Sequence, residues 1–288
     1  MLGAAGCVLV GATACGERSE PVGATLSPYP VTVRGAGDRA TTLNARPERI
    51  TPLDEGVANL LIELGAERQL VGLPRRGAPS IWNLTGDELA RAVARLRPDL
   101  VVASSATDPI DVSRAGRAAH CPVYVVPDES VHDVARALTQ LGLLTDHPVA
   151  GRRLVRANAG AERDVGTALA REPVVRVFID TGGFTTVSTR TLVSDLIRVA
   201  HGRNVVGPHP EPGVFSLREL RRLNPQVYLT SDRTLTLEYL RTNPKTRGLA
   251  AVRAGRLAHI SPRLLLVDGD LAARLPTIAR LLHPDAYR

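Results

Sequence analysis

From Pro148 to Arg171, about 24 residues are mostly helix-forming and carry no strand signal. As one helix they would reach about 36 Å at 1.5 Å per residue. On both sides the pattern changes to short apolar runs alternating with helical ones. Before the long stretch, strands are expected at Arg49–Leu53, Leu70–Leu73, Leu100–Ala103 and Val123–Val126. Helices are expected at Val57–Leu64, Gly86–Leu96, Arg114–Ala119 and Val131–Leu141. After it, strands are expected at Val174–Ile179, Val227–Leu229 and Leu257–Ile260, with helices at Leu192–Ala200, Leu217–Leu223, Leu237–Arg241 and Leu271–Leu282. Such alternation implies parallel sheet with helices on its faces. The expected class is α/β, with an N-terminal lobe over 44–147, a linking helix over 148–172 and a C-terminal lobe over 173–288.

The two halves share a grammar. DELARAVARLRPDLVVASS (Asp87–Ser105) and SLRELRRLNPQVYLTSD (Ser216–Asp232) each give an amphipathic helix, a Pro that stops it, and an apolar strand running into Ser. LIELGAERQLVGLP (Leu61–Pro74) and LIRVAHGRNVVGPH (Leu196–His209) form a second matched pair. Repetition at this distance means two lobes of like construction and not a short-period solenoid.

Four segments in order resemble a known family. PERITPLDEGVANLLIELGAERQLVGLPRR (Pro47–Arg76), LRPDLVVAS (Leu96–Ser104), LNPQVYLTS (Leu223–Ser231) and GLAAVRAGRLAHIS (Gly248–Ser261) are similar to landmarks of the solute-binding proteins that feed iron-siderophore, haem and cobalamin importers of the ABC type. The resemblance spans roughly Ala45 to His283. It implies two Rossmann-like lobes joined by one rigid backbone helix, a ligand cleft between them, no catalysis, and a monomer that partners an ABC permease and ATPase. Members usually carry a Glu on the outer face of each lobe, seven residues before the Pro of the repeated unit. Here those places hold Arg91 and Arg218, and the neighbouring Glu88 and Glu219 are the expected docking residues.

The apolar run from Met1 to Ala14 is too short to span a bilayer, which takes about 20 residues. It has the length of a signal-peptide apolar region. Ala12-Thr13-Ala14-Cys15 resembles a bacterial lipobox, although Ala12 stands where Leu is usual and no Lys or Arg precedes Arg18. Residues 1–14 are thus expected as a signal peptide, Cys15 as the lipidation site, and 15–43 as anchor site and tether on the outer face of the cytoplasmic membrane. The alternative is a buried N-terminal strand or helix with an incidental thiol.

Composition narrows the chemistry. The net charge of +7 is carried by Arg apart from Lys245, and the basic residues are scattered among acids, so nucleic-acid binding is not expected. Without Cys7 and with Cys15 lipidated, Cys121 stands alone, and no disulfide is expected. It reads as a small core residue. The 7 His show no tight ligand spacing, so no metal site is expected, with Asp54, Asp180 and His209 the conceivable ligands. There is no Gly-x-Ser-x-Gly elbow or P-loop, and Thr181–Thr186 is too loose for a phosphate loop.

Ligands of parallel α/β sheets sit beyond the carboxyl ends of the strands. The loops there carry Asp54 and Glu55, Arg75, Arg76 and Trp82, Ser105, Asp128 and Glu129, Phe184 and Arg190, Phe215, Asp232 and Arg233, and Arg263. Asp54, Arg75, Arg76, Trp82, Ser105, Phe184, Arg190, Phe215, Arg233 and Arg263 are the candidate ligand-binding set. Arg suits carboxylate, catecholate or phosphate oxygens through its planar fork. So many cations need an anion or neighbouring acids, with Asp54, Asp128 and Asp232 the candidates for the latter. The expected ligand is an anionic iron chelate or haem. Cobalamin, a metal ion, or a non-transport lipoprotein of this fold are the alternatives.

Overall fold

The computed structural model describes residues 28–74, 80–207 and 213–287. The chain enters as an antiparallel hairpin in which β1 (Val31–Arg34) pairs with β2 (Ala40–Leu43), Val31 opposite Leu43. The two-residue alternation of strands turns Val33 and Leu43 inward, 6% and 5% exposed. Thr41 donates its hydroxyl to the Val123 carbonyl at 2.7 Å, and Tyr29 donates its own to the Leu144 carbonyl at 2.9 Å. Residues 31–43, expected as tether, are therefore part of the first lobe. Two four-residue strands around a Gly-rich turn are too short to stand out in a segment otherwise read as linker.

The first lobe continues with β3 (Ile50–Pro52), α1 (Glu55–Glu63), α2 (Gly86–Leu96), β4 (Leu100–Ala103), α3 (Pro109–Ala119), β5 (Val123–Val125) and α4 (Val131–Leu144). Its strands lie parallel in the order β3-β4-β5. Leu70 adds one parallel bridge to Ile50. The expected strand Leu70–Leu73 shrinks to that rung because Gly72, at φ +83°, turns the chain away. After α5 (Pro148–Ala168), which begins on Pro148 as expected, the second lobe runs β6 (Val175–Asp180), β7 (Thr185–Thr186), α6 (Leu192–Val199), β8 (Gly202–Asn204), β9 (Gly213–Val214), α7 (Leu217–Leu223), β10 (Val227–Thr230), α8 (Leu237–Thr242), α9 (Ala250–Arg253), β11 (Leu257–His259) and α10 (Leu271–Leu282). Its parallel sheet has the order β8-β6-β10-β11. β7 and β9 form a small antiparallel pair beside it.

The repeat in the sequence is a repeat in atoms. α2 and α7 both end on a left-handed residue before Pro, Arg97 at φ 45° and Asn224 at φ 44°. The guanidinium of Arg49 then caps α2 through the Leu96 carbonyl at 2.8 Å, and that of Arg176 caps α7 through the Asn224 carbonyl at 3.1 Å. The next residue ties the same two strands in each lobe. The Asp99 amide donates to the Arg49 carbonyl at 2.9 Å, and the Gln226 amide to the Arg176 carbonyl at 2.8 Å.

Alternation along the strands sorts the apolar residues into three clusters. Leu100 and Val102 on β4, Val175, Val177 and Ile179 on β6, and Val227 and Leu229 on β10 face one common core. That core is continuous through Leu138 and Leu141 of α4, Ala161 and Val165 of α5, Leu196 and Ile197 of α6, and Leu275 and Ile278 of α10. The opposite faces carry separate satellites, Val101 with Leu89 and Val112 in the first lobe, Phe178 and Tyr228 with Leu220 and Leu240 in the second.

Candidate functional site

Parallel strands bring their carboxyl ends together, and in both lobes those ends feed one mouth. In the first lobe the mouth is knitted by carboxylates. Asp54 caps α1, accepting the Val57 amide at 2.9 Å. Its other oxygen accepts the amide and hydroxyl of Ser104 at 3.1 and 2.8 Å. Ser105 repeats the move one residue on, donating its amide at 3.0 Å and its hydroxyl at 2.8 Å to Asp128. The two consecutive serines after β4 thus clip the loops that follow β3 and β5. Burial raises the Asp128 carboxyl above its ordinary range, opposed by the two Ser105 bonds and aided by Asp54 and Glu129. Trp82 lies half-buried at the end of β3, its indole N–H donating to the Pro52 carbonyl at 3.1 Å.

In the second lobe the loop after β6 carries three successive residues of positive φ, Gly182, Gly183 and Phe184. Phe184 holds φ +63°, a conformation that costs a bulky residue energy and is concentrated at functional sites. Its ring is half-buried and borders a cavity of about 380 Å³ shared with Asp180, Asp232 and Tyr239. Asp180 is 1% exposed and accepts the Tyr228 hydroxyl at 2.7 Å and the Gly182 amide at 2.8 Å. Burial raises its carboxyl, against the pull of those donors.

Two ion pairs cross between the lobes. Arg190, which precedes α6, meets Glu129 of the loop after β5 at 3.4 Å, and Arg263, after β11, meets Glu55 of α1 at 3.8 Å. All four side chains are largely exposed. Asp195 of α6 also accepts the Val131 amide at the start of α4 at 2.9 Å, a third tie between lobes.

The structure therefore sorts the expected ligand set. Arg190 and Arg263 reach across to Glu129 and Glu55 of the other lobe, while half-buried Trp82 sits against Pro52 and half-buried Phe184 against the cavity at Asp180. Arg233 is exposed on the loop after β10, with no ion-pair partner among the described residues. Asp54 and Ser105 are at the mouth, but their polar atoms are taken by the scaffold bonds above. Phe215 is 8% exposed, its ring 5.7 Å from that of Phe178 in the satellite core, and it also lines a cavity together with Phe184. The expected neutralisers Asp54, Asp128 and Asp232 give way to Glu55 and Glu129, which touch arginines directly. A signal for this pair was present: each Glu directly follows an Asp at a strand end. Arg75, Arg76, His209 and the lipidation site Cys15 lie outside the described residues. Glu88 is exposed on α2, and Glu219 on α7 is paired with Arg222 at 3.4 Å. Cys121 is half-buried, with burial pushing its thiol up to about 11, which fits a packing role. No group of three or more potential metal ligands occurs among the described residues.

The sequence profile of the periplasmic binding proteins matches residues 91–264. A cobalamin-binding protein of Halobacterium salinarum is 28% identical over 193 residues, 62% of this chain and 51% of that protein. The chain spans about half the length of the curated relatives it matches. Among solved structures, the Ni(II)-bound protein of Helicobacter pylori superposes with a TM-score of 0.76 at 14% identity, covering 89% of this chain and 90% of that one. A periplasmic haem-binding protein of Roseiflexus gives 0.70 at 20% identity, covering 83% and 99%. These two likenesses bear on fold.

Proposed function

The chain belongs to the periplasmic binding protein family, and on that footing we propose that it is the extracytoplasmic, non-catalytic substrate-binding component of an ABC importer. Its ligand is an anionic iron chelate or haem, held in the mouth between the lobes. The observation that carries this is the pair of cross-lobe contacts, Arg190 with Glu129 and Arg263 with Glu55. Exposed ion pairs are worth only about 0–1 kcal/mol. A ligand carboxylate or catecholate that makes a charge-assisted bond to either guanidinium gains about 1.5–3 kcal/mol, enough to displace the glutamate. Phe184 and Trp82, on loops at the strand ends of the second and first lobes, would supply apolar ring surface to such a ligand. Lipid anchoring at Cys15 belongs to the same proposal, as a means of keeping the protein beside its permease.

The 28% identity to a cobalamin-binding protein favours a second reading, a corrinoid ligand. One titration separates them. Trp82 is the only tryptophan, so its emission reports the mouth directly. Haem and ferric siderophores should quench it saturably, more weakly at high salt because exposed charges are screened beyond about 8 Å. Tight cobalamin binding that ignores both salt and Arg190→Ala would overturn the anionic reading in favour of the corrinoid one.

A further inference from the structure

The stretch 261–270, which joins β11 to α10 in the second lobe, runs as a strap along α1 of the first. At the mouth its Arg263 meets Glu55 at 3.8 Å. One residue along α1, Gly56 makes room for the strap: a Cβ there would stand 2.8 Å from both the Cγ1 and the carbonyl oxygen of Val267. Seven residues further, Gly269 lies so close to Glu63 that a Cβ on it would collide with the carboxyl Oε2. Seven residues make about two helical turns, so Gly56 and Glu63 share the face that the strap covers.

The strap is held from behind by groups that are themselves satisfied. Arg274 of α10, 11% exposed, donates to the carbonyls of Arg263 at 2.6 Å and Leu266 at 3.0 Å, and to the Asp268 carboxylate at 2.6 Å. Asn158 of the linking helix donates to the Gly269 carbonyl at 2.7 Å and accepts the Ala272 amide at 3.0 Å. Glu63 differs, because its Oε2 is buried with no hydrogen-bond partner. The charged groups facing it are Asp268 and Asp270 of the strap and Arg274 of α10, while α4 and α5 bring the uncharged Leu138 and Asn158 to the adjoining Gly269. A hydrogen bond joins the carboxyls of Glu63 and Asp268, and such a bond needs one proton between two acids. When that proton leaves for solvent, two like charges meet at a place with no side-chain slack.

We propose that Glu63 is a proton-operated latch on this strap: protonated, it bonds Asp268 and seats the strap on α1, and ionised, it repels Asp268, lifts the strap and draws Arg263 away from the mouth. Burial, and then Asp268, push the Glu63 carboxyl up to about 8, so the latch is closed below that pH and opens above it. The effect on ligand affinity rests on the binding-protein reading. The movement of the strap does not.

The test uses the full chain at pH 7 and pH 9, above the ordinary range of His and below that of Tyr. Haem affinity is read from Trp82 emission, and the strap from pulsed hydrogen exchange of its amides, corrected for the intrinsic rate. If the strap stays seated in about a tenth of the molecules at pH 9, haem should bind about tenfold more weakly there. Strap protection should fall by a similar factor. Glu63→Gln, whose amide donates to Asp268 as the protonated acid does, should change by less than about twofold in both measurements. Asp268→Asn removes the facing charge and should move the midpoint of the exchange transition to lower pH, a shift that a merely structural role would not produce. Equal pH dependence in wild type and Glu63→Gln overturns the proposal, as does an unmoved midpoint in Asp268→Asn. A strap that loosens while haem affinity holds, or affinity that falls over a strap of constant protection, also overturns it. Failure of the wild type to bind haem at either pH bears on the ligand reading alone, because the exchange measurement needs no ligand.

Discussion

Glu63 of α1 lies half-buried against Asp268, on the segment leading into α10, while Arg274 holds Asp268 at 2.6 Å. One Glu63 oxygen is buried without a hydrogen-bond partner. Burial first, and then Asp268 and Asp270, push the Glu63 carboxyl up from its ordinary 4.5 to about 8, against a favourable bond from the Gly269 amide. Glu63 thus holds its proton to higher pH than an ordinary carboxyl, beside the Asp268 that Arg274 engages.

The sign of the pH dependence follows. Between about 4.5 and 8 the folded chain holds a proton that the unfolded chain has released. This contribution to stability is complete below 4.5 and is lost as pH rises towards 8 and beyond. Glu63→Gln removes the titration. It should stabilise by about 1–3 kcal/mol in alkaline buffer and change little in mild acid. Urea unfolding at both pH values measures the difference, and an equal effect at both would exclude a shifted Glu63.

Glu129 and Arg190 should act with opposite signs on ligand affinity. Arg190→Ala removes a donor and should weaken an anionic ligand by about tenfold to a hundredfold. Glu129→Gln removes the competitor for the same guanidinium and should strengthen it, by no more than about fivefold for a pair this exposed. Titration of both variants with haem checks the pattern, and parallel losses would mean that Glu129 touches the ligand itself.

Asp54→Ala should act on stability. The substitution strips the cap from α1 and leaves Ser104 without its acceptor, costing about 1–2 kcal/mol. Thermal unfolding reads this. A variant of unchanged stability that has lost ligand would return Asp54 to direct contact.

The hairpin sets a boundary that truncation can find. A chain starting at Pro28, which keeps the hairpin, is the reference. A chain starting at Asn44 loses Val33, Leu43 and the Tyr29 and Thr41 bonds, and should melt at markedly lower temperature, since burying each large aliphatic side chain is worth about 1.5–3 kcal/mol. Equal melting temperatures would mean that the hairpin does not support the lobe.

The elements legible in the sequence are those whose signals are local. α2, β4, α7 and α10 fall on their expected residues because each is a period-3.6 or all-apolar run closed by Pro, a left-handed residue or an acidic cap. The repeat was legible for the same reason, through Arg97-Pro98 and Asn224-Pro225. The hairpin was not, because its strands are short and one face is polar. Nor was the inward face of Phe215: an aromatic in a Gly/Pro-rich loop carries no local mark of which way it turns. Arg190 and Arg263 could be assigned to the mouth from strand ends, but their partners could not. Pairing across more than sixty residues is decided by how two lobes pack, as Glu129 and Glu55 show.

The core that runs unbroken from Leu100 through α4, α5, α6 and α10 to Val227 also limits how such a protein can move. Swinging the lobes wide would tear close-packed side chains apart, because dense interiors repack between discrete arrangements and do not stretch. Capture then falls to loop rearrangement at the mouth, and the radius of gyration in solution scattering should hardly change on saturation with ligand. A receiving transporter would meet nearly one shape whether the cleft is empty or full. It would have to sense occupancy through the few side chains at the rim.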